Sequence, residues 1–547
     1  MYRKILFIAA FISLITVGCK KDFLDLNVDP NNPATVAPSK ILPAALAKTA
    51  SLMVDPNLDY PNIWMGFWSF SSTYAIPTTE RDYTYPSSSY RQNFFTNGYT
   101  NAYDYQMIIN IAQSQNNQAF QGIGRIMKAF VMQMEVDLYG DVPYTEAFKT
   151  TANQTPKYDK ASDIYDSLYA QLTVGINNLK AADTTKDFPD ATSDIMFQGS
   201  RSKWVKFANT LKLKLLIRQA TVTAKASYIS AKIASDFAPD LSDFLQAKEI
   251  AQINPGYTNS TNQQNPFWVN FGYSLTNTVT QGSNLDVYNG GLPAINFFCN
   301  MNDLRVQRLM DYYNYNTTGN DPGVDINFYN FVTNSTLGVA FMYGGTEMGA
   351  AAKAASGSTL PTTFSTITNN PVTTLMPVKS ASTNALIFSD FESLFLQAEA
   401  VQRGWFANGN AQQLFDDGMT QSFAYDFDIA LTKGRLPLTK YGVTSATIQN
   451  DIIASPDNDW PSAQGAGQEI QAIITQKYMA LGTYNFLEPW TEYRRTGFPK
   501  VDISTSANGH PIPYRYLYPQ REYSVNSANV PQQATNAQFN SKLFWMP

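Results

Sequence analysis

Histidine is almost missing from this chain: His510, in a Gly-His-Pro turn, is the one copy among 547 residues. A lone histidine beside proline reads as a surface-loop residue. That excludes Ser-His-Asp and Cys-His catalytic sets and multi-histidine zinc sites. Cysteine is nearly as scarce, with Cys19 and Cys299 only. Cys299, in Phe297-Phe298-Cys299, reads as a small buried hydrophobe rather than a nucleophile. Neither a Walker motif nor a Gly-x-Gly-x-x-Gly fingerprint occurs, so no nucleotide or other cofactor is implied. No basic run follows residue 21 and the net charge is −5, which argues against nucleic acid as a partner. The acidic turn Asp457-Asn458-Asp459 lacks the glycine and distal glutamate of a calcium loop and reads as solvated, so no metal site is assigned.

Aromatic residues are in excess instead. They make up 14% of the chain, and hydrophobic residues as a whole 44%, so a large core is easily buried. The length alone permits two to four domains. Tyrosine, with 32 copies, is amphipathic, and part of this excess is expected on surfaces that touch ligand or protein.

The amino terminus reads as a targeting segment. Arg3 and Lys4 form a charged start and Ile5 to Val17 an apolar run too short to span a bilayer as a helix. Thr16-Val17-Gly18-Cys19 resembles a lipoprotein signal-peptidase site, although Thr16 stands where leucine is usual. Residues 1–18 are therefore expected to be a signal peptide, and Cys19 the lipidated first residue of a membrane-anchored protein. With Cys19 lipidated, no intramolecular disulfide is available. Asp29-Pro30-Asn31-Asn32-Pro33 lies in a turn-rich tether, residues 19–36, ahead of a helical domain over 37–547.

Helical periodicity is clearest near residues 118–180. Phe120, Ile123, Met127, Phe130, Met134 and Leu138 fall three or four apart on one face, and Gly140 supplies a C-terminal stop. Pro143 then forces Val142 to be extended. Asp159 is the expected N-cap of a second striped helix through Ile164, Leu168, Leu172, Ile176 and Leu179. Two striped helices in tandem imply helix-on-helix packing.

Several stretches here resemble the SusD family, the surface lipoproteins of Bacteroidetes that act as substrate-binding lids on TonB-dependent importers. They are Tyr139-Gly140-Asp141-Val142-Pro143-Tyr144-Thr145-Glu146-Ala147, Pro156-Lys157-Tyr158-Asp159 and Ile164-Tyr165. Trp204 to Lys212, Asn302-Asp303-Leu304-Arg305, Phe395 to Gly404 and Ile512 to Pro519 extend the resemblance over the whole chain. Lys20-Lys21-Asp22-Phe23-Leu24-Asp25 is similar to the acidic signal that sends such lipoproteins to the outer face. The resemblance implies an outer-membrane location facing the cell exterior, a SusC-like TonB-dependent barrel as partner, and an oligosaccharide or peptide ligand.

Other segments follow the same reading. Residues 37–54, 92–116 and 202–220 have helical spacing, and 226–248 allow one or two short helices. Ser389 with Glu392 suggests a capping box. The helix it starts is expected to pair, across Asn408-Gly409-Asn410, with one through Leu414, Phe415, Met419 and Phe423. Ile470 to Leu481 and Tyr484 to Tyr493 suggest a further pair. Residues 251–388 are the least regular. The expected fold is thus mostly α, with tetratricopeptide-like hairpins as one scaffold and long irregular ligand-binding loops.

The candidate ligand site is aromatic, because rigid rings give a sugar's C–H face or a peptide side chain a large contact at low conformational cost. Trp64, Trp68 and Tyr74 in a first loop and Trp268 and Tyr273 in a second are the candidates. Arg81, Asn265 and Asn270 could hydrogen-bond hydroxyls. The alternative is that Trp64 and Trp68, four apart, form a buried helical stripe. The expected function is capture without catalysis. Its rivals are a lipid-anchored glycoside hydrolase with carboxylates about 5–9 Å apart, and a repeat scaffold binding only protein partners.

Overall fold

The link 115–117 turns the chain back on itself, and Asn117 sets the turn by accepting a hydrogen bond from the Phe120 N–H at 3.0 Å. On either side run α3 (Asn93–Ser114) and α4 (Gln118–Tyr139), packed side by side. The structure, a computed structural model, describes residues 36–70, 83–84, 88–89, 91–272, 274–276, 287–290, 294, 298, 303, 305, 310–313, 372–375, 380–427, 460, 467–501, 507 and 509–547. Cys19, Tyr74, Arg81, Tyr273, Cys299 and the turn 457–459 lie outside the described residues.

Before the hairpin come α1 (Pro38–Met53), which packs on α3, and the short α2 (Asp59–Trp64). After it, α5 (Ala161–Ala181) packs on α4 and α6 (Arg201–Arg218) on α5, followed by α7 (Ala226–Asp236) and the short α8 (Pro266–Phe271). The stripe of α5 is buried as its spacing predicts. α4 is buried nearly along its whole length, with the polar Gln121, Gln133, Glu135 and Asp137 included, as befits a helix with neighbours on several sides. The crossing of α4 and α5 is unusually close. A Cβ at Gly122 would sit 2.8 Å from the Gly175 carbonyl oxygen, and one at Gly175 would sit 3.1 Å from that of Gly122.

In the C-terminal half α9 (Asp390–Gln402) pairs with α10 (Ala411–Phe427), and Phe391, Phe395, Phe415, Met419 and Phe423 form a cluster between them. Next come α11 (Glu469–Leu481), which packs on α9, and α12 (Glu488–Thr496), which packs on α11 and α2. Helical hairpins laid side by side, with short two-stranded sheets between them, are the tetratricopeptide-like scaffold the periodicity implies. Among the described residues no helix is long and apolar enough to cross a membrane.

Three local expectations need correction. Asp159 does not cap α5; its carboxylate accepts from the N–H groups of Tyr144 and Thr145, each at 2.8 Å. The α5 start is served by Asp141, which accepts from the Ala161 N–H at 2.8 Å. The capping box at α9 is half made: Ser389 accepts from the Glu392 N–H at 3.0 Å, but the Glu392 carboxylate turns inward to Lys214 at 2.7 Å. Finally α12 starts at Glu488, not Tyr484, and Asn485 ahead of it accepts from the Leu487 and Glu488 N–H groups.

Glu392 belongs to a charged core where α4, α6, α9, α11 and α12 meet. Lys214 bridges Glu392 and Glu488, and Arg218 reaches Glu488, Glu492 and Asp137. Lys477 donates to Glu488 at 2.6 Å, and Arg495 joins Glu492 to Glu399. These side chains are all buried, so each charge needs an opposite one in contact. Burial pushes the Glu488 carboxyl up, but Arg218, Lys214 and Lys477 outweigh it and hold it well below the ordinary carboxylate range. Glu399 is held here by Arg495 and by Arg403.

Candidate functional site

Pairing of two short strands joins the two aromatic stretches. β1 (Trp68–Phe70) runs antiparallel to β5 (Tyr288–Gly290), with Trp68 opposite Gly290 and Phe70 opposite Tyr288. Phe70, the last described residue before Tyr83, therefore lies beside Tyr288.

The anchor is built from rings. Trp68 lies 4.7 Å from Phe271, 5.1 Å from Tyr288 and 4.9 Å from Phe486, measured between ring centroids. Trp64 lies 5.0 Å from Trp490 and 5.9 Å from Tyr516. Both indoles are 1% exposed, so neither offers a face to a ligand, but they do not form one helical stripe: Trp64 ends α2 and Trp68 lies in β1. Trp268 is 8% exposed and is also part of the core.

The two described polar candidates, Asn265 and Asn270, both have partners within the protein. Asn265 is the N-cap of α8: its Oδ1 accepts from the Phe267 N–H at 2.8 Å, and its Nδ2 donates to the Thr383 carbonyl at 2.9 Å. Asn270 is half-buried and donates to the Val54 carbonyl at 3.3 Å. Beside it Val269 is 57% exposed, so the open face of α8 is apolar there.

A polar tie behind the anchor was not visible in the sequence. Asp59, 1% exposed, receives both the Tyr288 hydroxyl and the Arg91 guanidinium at 2.5 Å. It links α2, the segment before α3 and β5. No residue pattern flags this, because the partners are far apart in the chain.

One carboxylate has the environment of a general acid. Glu135 on α4 is fully buried, and neither of its oxygens has a hydrogen-bond partner among the described residues. Burial first, and then nearby Asp55, push its carboxyl well above the ordinary range. A raised carboxyl beside a second acid is a pattern found in glycosidases. Here it lies under Gly98 of α3, where an added Cβ would sit 1.8 Å from Glu135 Oε1. The group is fully buried between α3 and α4. Among the described residues no cluster of His, Cys, Asp or Glu could hold a metal ion.

A SusD-like family model, described as starch-binding and associating with the outer membrane, matches residues 30–519. Similar solved structures include a SusD homolog from Bacteroides uniformis, at 20% identity and a TM-score of 0.65, covering 93% of this chain and 99% of that one. One from Bacteroides fragilis has 19% identity and a TM-score of 0.65, with coverage of 93% and 99%. A chitin-binding SusD homolog from Flavobacterium johnsoniae has 19% identity and a TM-score of 0.63, covering 92% of this chain and 98% of that one. No curated protein matches.

Proposed function

The chain belongs to the SusD-like family of starch-binding, outer-membrane-associated proteins, and on that basis we propose that it captures oligosaccharides at the cell surface for import. The observation that carries this reading is the family match over residues 30–519. The similarity to a chitin-binding homolog supports a glycan in preference to a peptide.

In this proposal Cys19 carries the lipid anchor, and the protein faces the cell exterior as the lid of a SusC-like TonB-dependent barrel. Ligand is held and released without covalent chemistry. Contact falls to Tyr74, Arg81 and Tyr273, which follow Trp68 and Trp268 in the chain. Trp64, Trp68, Trp268 and Asn265 act as the rigid support from which those loops spring, and Asn270 stands at its edge. Support comes from the β1–β5 pairing, which brings Trp68 and Tyr288 into one ring cluster.

A glycan panel applied to the soluble chain that starts after Cys19, residues 20–547, tests the reading, with mass analysis of the recovered ligand. Saturable binding with the ligand whole is expected. Shortened ligand would replace capture by hydrolysis. For the anchor, Cys19→Ala is expected to abolish lipid labelling and release the protein from the membrane fraction. Co-purification of the wild type with an outer-membrane barrel tests the partner.

A further inference from the structure

Away from the aromatic anchor, a cleft of about 520 Å³ opens between the start of α6, the start of α9 and the end of α10. That volume is in the range of small-molecule sites. Phe197, Ala424 and Tyr425 give it apolar surface, while Gln198, Gln252 and Gln421 bring amides to it. Lys203 and Lys248 bring two ammonium groups.

The walls are fixed in advance. Asp194 clamps one of them: its carboxylate accepts from the N–H groups of Met196, Phe197 and Gly199, and from Trp204 Nε1 at 2.8 Å. Gln198 and Gly199 are thereby held in successive left-handed conformations, with φ of 54° and 77°. On the opposite wall Lys248 is also left-handed, at φ 69°, and its N–H donates to Asp390 Oδ2 at 2.6 Å. Strained, over-determined backbone on both sides of an opening is a feature of binding sites.

The cleft also carries positive charge. Lys206, Lys212 and Lys214, on the same helix as Lys203, each have a carboxylate partner. Lys203 and Lys248 have none among the described residues, although both border one cleft. The first turn of α6, which holds Lys203, contains no acidic residue, so the helix dipole adds to the positive field. The acid in the cleft, Asp390, is buried and accepts from the backbone N–H groups of Lys248 and Phe391.

We propose that this cleft is a second saccharide subsite, one that takes a uronic-acid unit by pairing its carboxylate with Lys203 and Lys248. Amides at Gln198, Gln252 and Gln421 each offer a donor and an acceptor to ring hydroxyls. The Tyr425 and Phe197 rings offer apolar surface to a pyranose face. The inference rests on the reading that this protein binds saccharides, and it extends that reading to a charged class.

Titration calorimetry of the mature chain with trigalacturonic acid and with its methyl ester tests it, because esterification removes the carboxylate charges and keeps the ring hydroxyls. The acid is expected to bind, and its affinity to fall roughly tenfold or more on esterification or in the Lys203→Gln/Lys248→Gln variant. Rising salt should weaken the acid and not the ester. Both lysines are exposed, so the variant should keep the wild-type melting temperature. A charge-reversed pair, Lys203→Glu/Lys248→Glu, should abolish acid binding. Equal affinity for acid and ester, or acid binding unchanged in the variants, would overturn the subsite. Binding of neutral glycans without the acid would overturn it and leave glycan capture standing. Failure to bind any saccharide would overturn both.

Discussion

Arg495 grips Glu399 with both arms of its guanidinium, Nη1 to Oε1 and Nη2 to Oε2, each at 2.8 Å. The pair joins α12 to α9 across 96 residues of chain and is buried on both sides. Removing one partner strands the other charge in the core. Arg495→Leu is therefore expected to cost about 3–5 kcal/mol of folding stability, while Arg403→Leu, whose guanidinium is partly exposed, should cost about 1 kcal/mol or less. Denaturant unfolding of the two variants checks the contrast.

The Glu135 carboxyl should make stability fall as pH rises. Its folded pKa lies well above the ordinary value near 4.5, so above that pH the unfolded chain releases the proton while the folded chain keeps it. Stability is then lost upward from about pH 4.5, at no more than about 1.4 kcal/mol per pH unit. Glu135→Gln cannot ionise and is expected to flatten this part of the profile and raise the melting temperature at pH 8. Melting curves from pH 5 to pH 8 decide it; matching profiles for wild type and variant would contradict the account.

Gly122→Ala tests the α4–α5 crossing. The added methyl would meet a backbone oxygen at 2.8 Å, and a carbonyl in the middle of a helix cannot swing aside. A loss of about 1–3 kcal/mol is expected. Gly404→Ala, with nothing within 4 Å of the new Cβ, meets no such wall; its cost comes from the left-handed φ of 76° alone. Thermal melts of both variants compare contact with conformation.

Trp68→Ala is expected to act on stability first. It would empty the space between Phe271, Tyr288 and Phe486, a loss of about 3–5 kcal/mol for a fully buried ring. Ligand binding by this variant would then be lost through loosening of the loop anchor. Tyr74→Ala and Tyr273→Ala are expected to weaken binding and leave the melting temperature near that of wild type.

The helical scaffold was legible because burial imposes a period. Ile164, Leu168, Leu172 and Ile176 declare a face, and that face is buried. Helix α6 was legible from Trp204, Phe207, Leu211 and Leu215, yet its other side is buried as well, through Lys214 and Arg218. Long-range ion pairs leave no periodic trace, so the charged core could not be read. The same limit applies to Trp68 and Trp268. An indole has one composition whether it faces a sugar or a neighbouring ring, and only the packing of distant Phe486 and Tyr288 distinguishes them. Asn265 was read as a hydroxyl partner when its position before Pro266 made it an N-cap, a signal that was available in the sequence.

The central claim is capture of an intact glycan through the paired loops. Its most direct test is a calorimetric titration of the mature chain with chitin- and starch-derived oligosaccharides, run beside the Tyr74→Ala/Arg81→Ala/Tyr273→Ala variant, with the ligand weighed afterwards. The account predicts saturable binding of at least one series, ligand recovered at its starting mass, and binding lost in a variant that melts like the wild type. Full-strength binding by that variant, or shortened ligand, would contradict it.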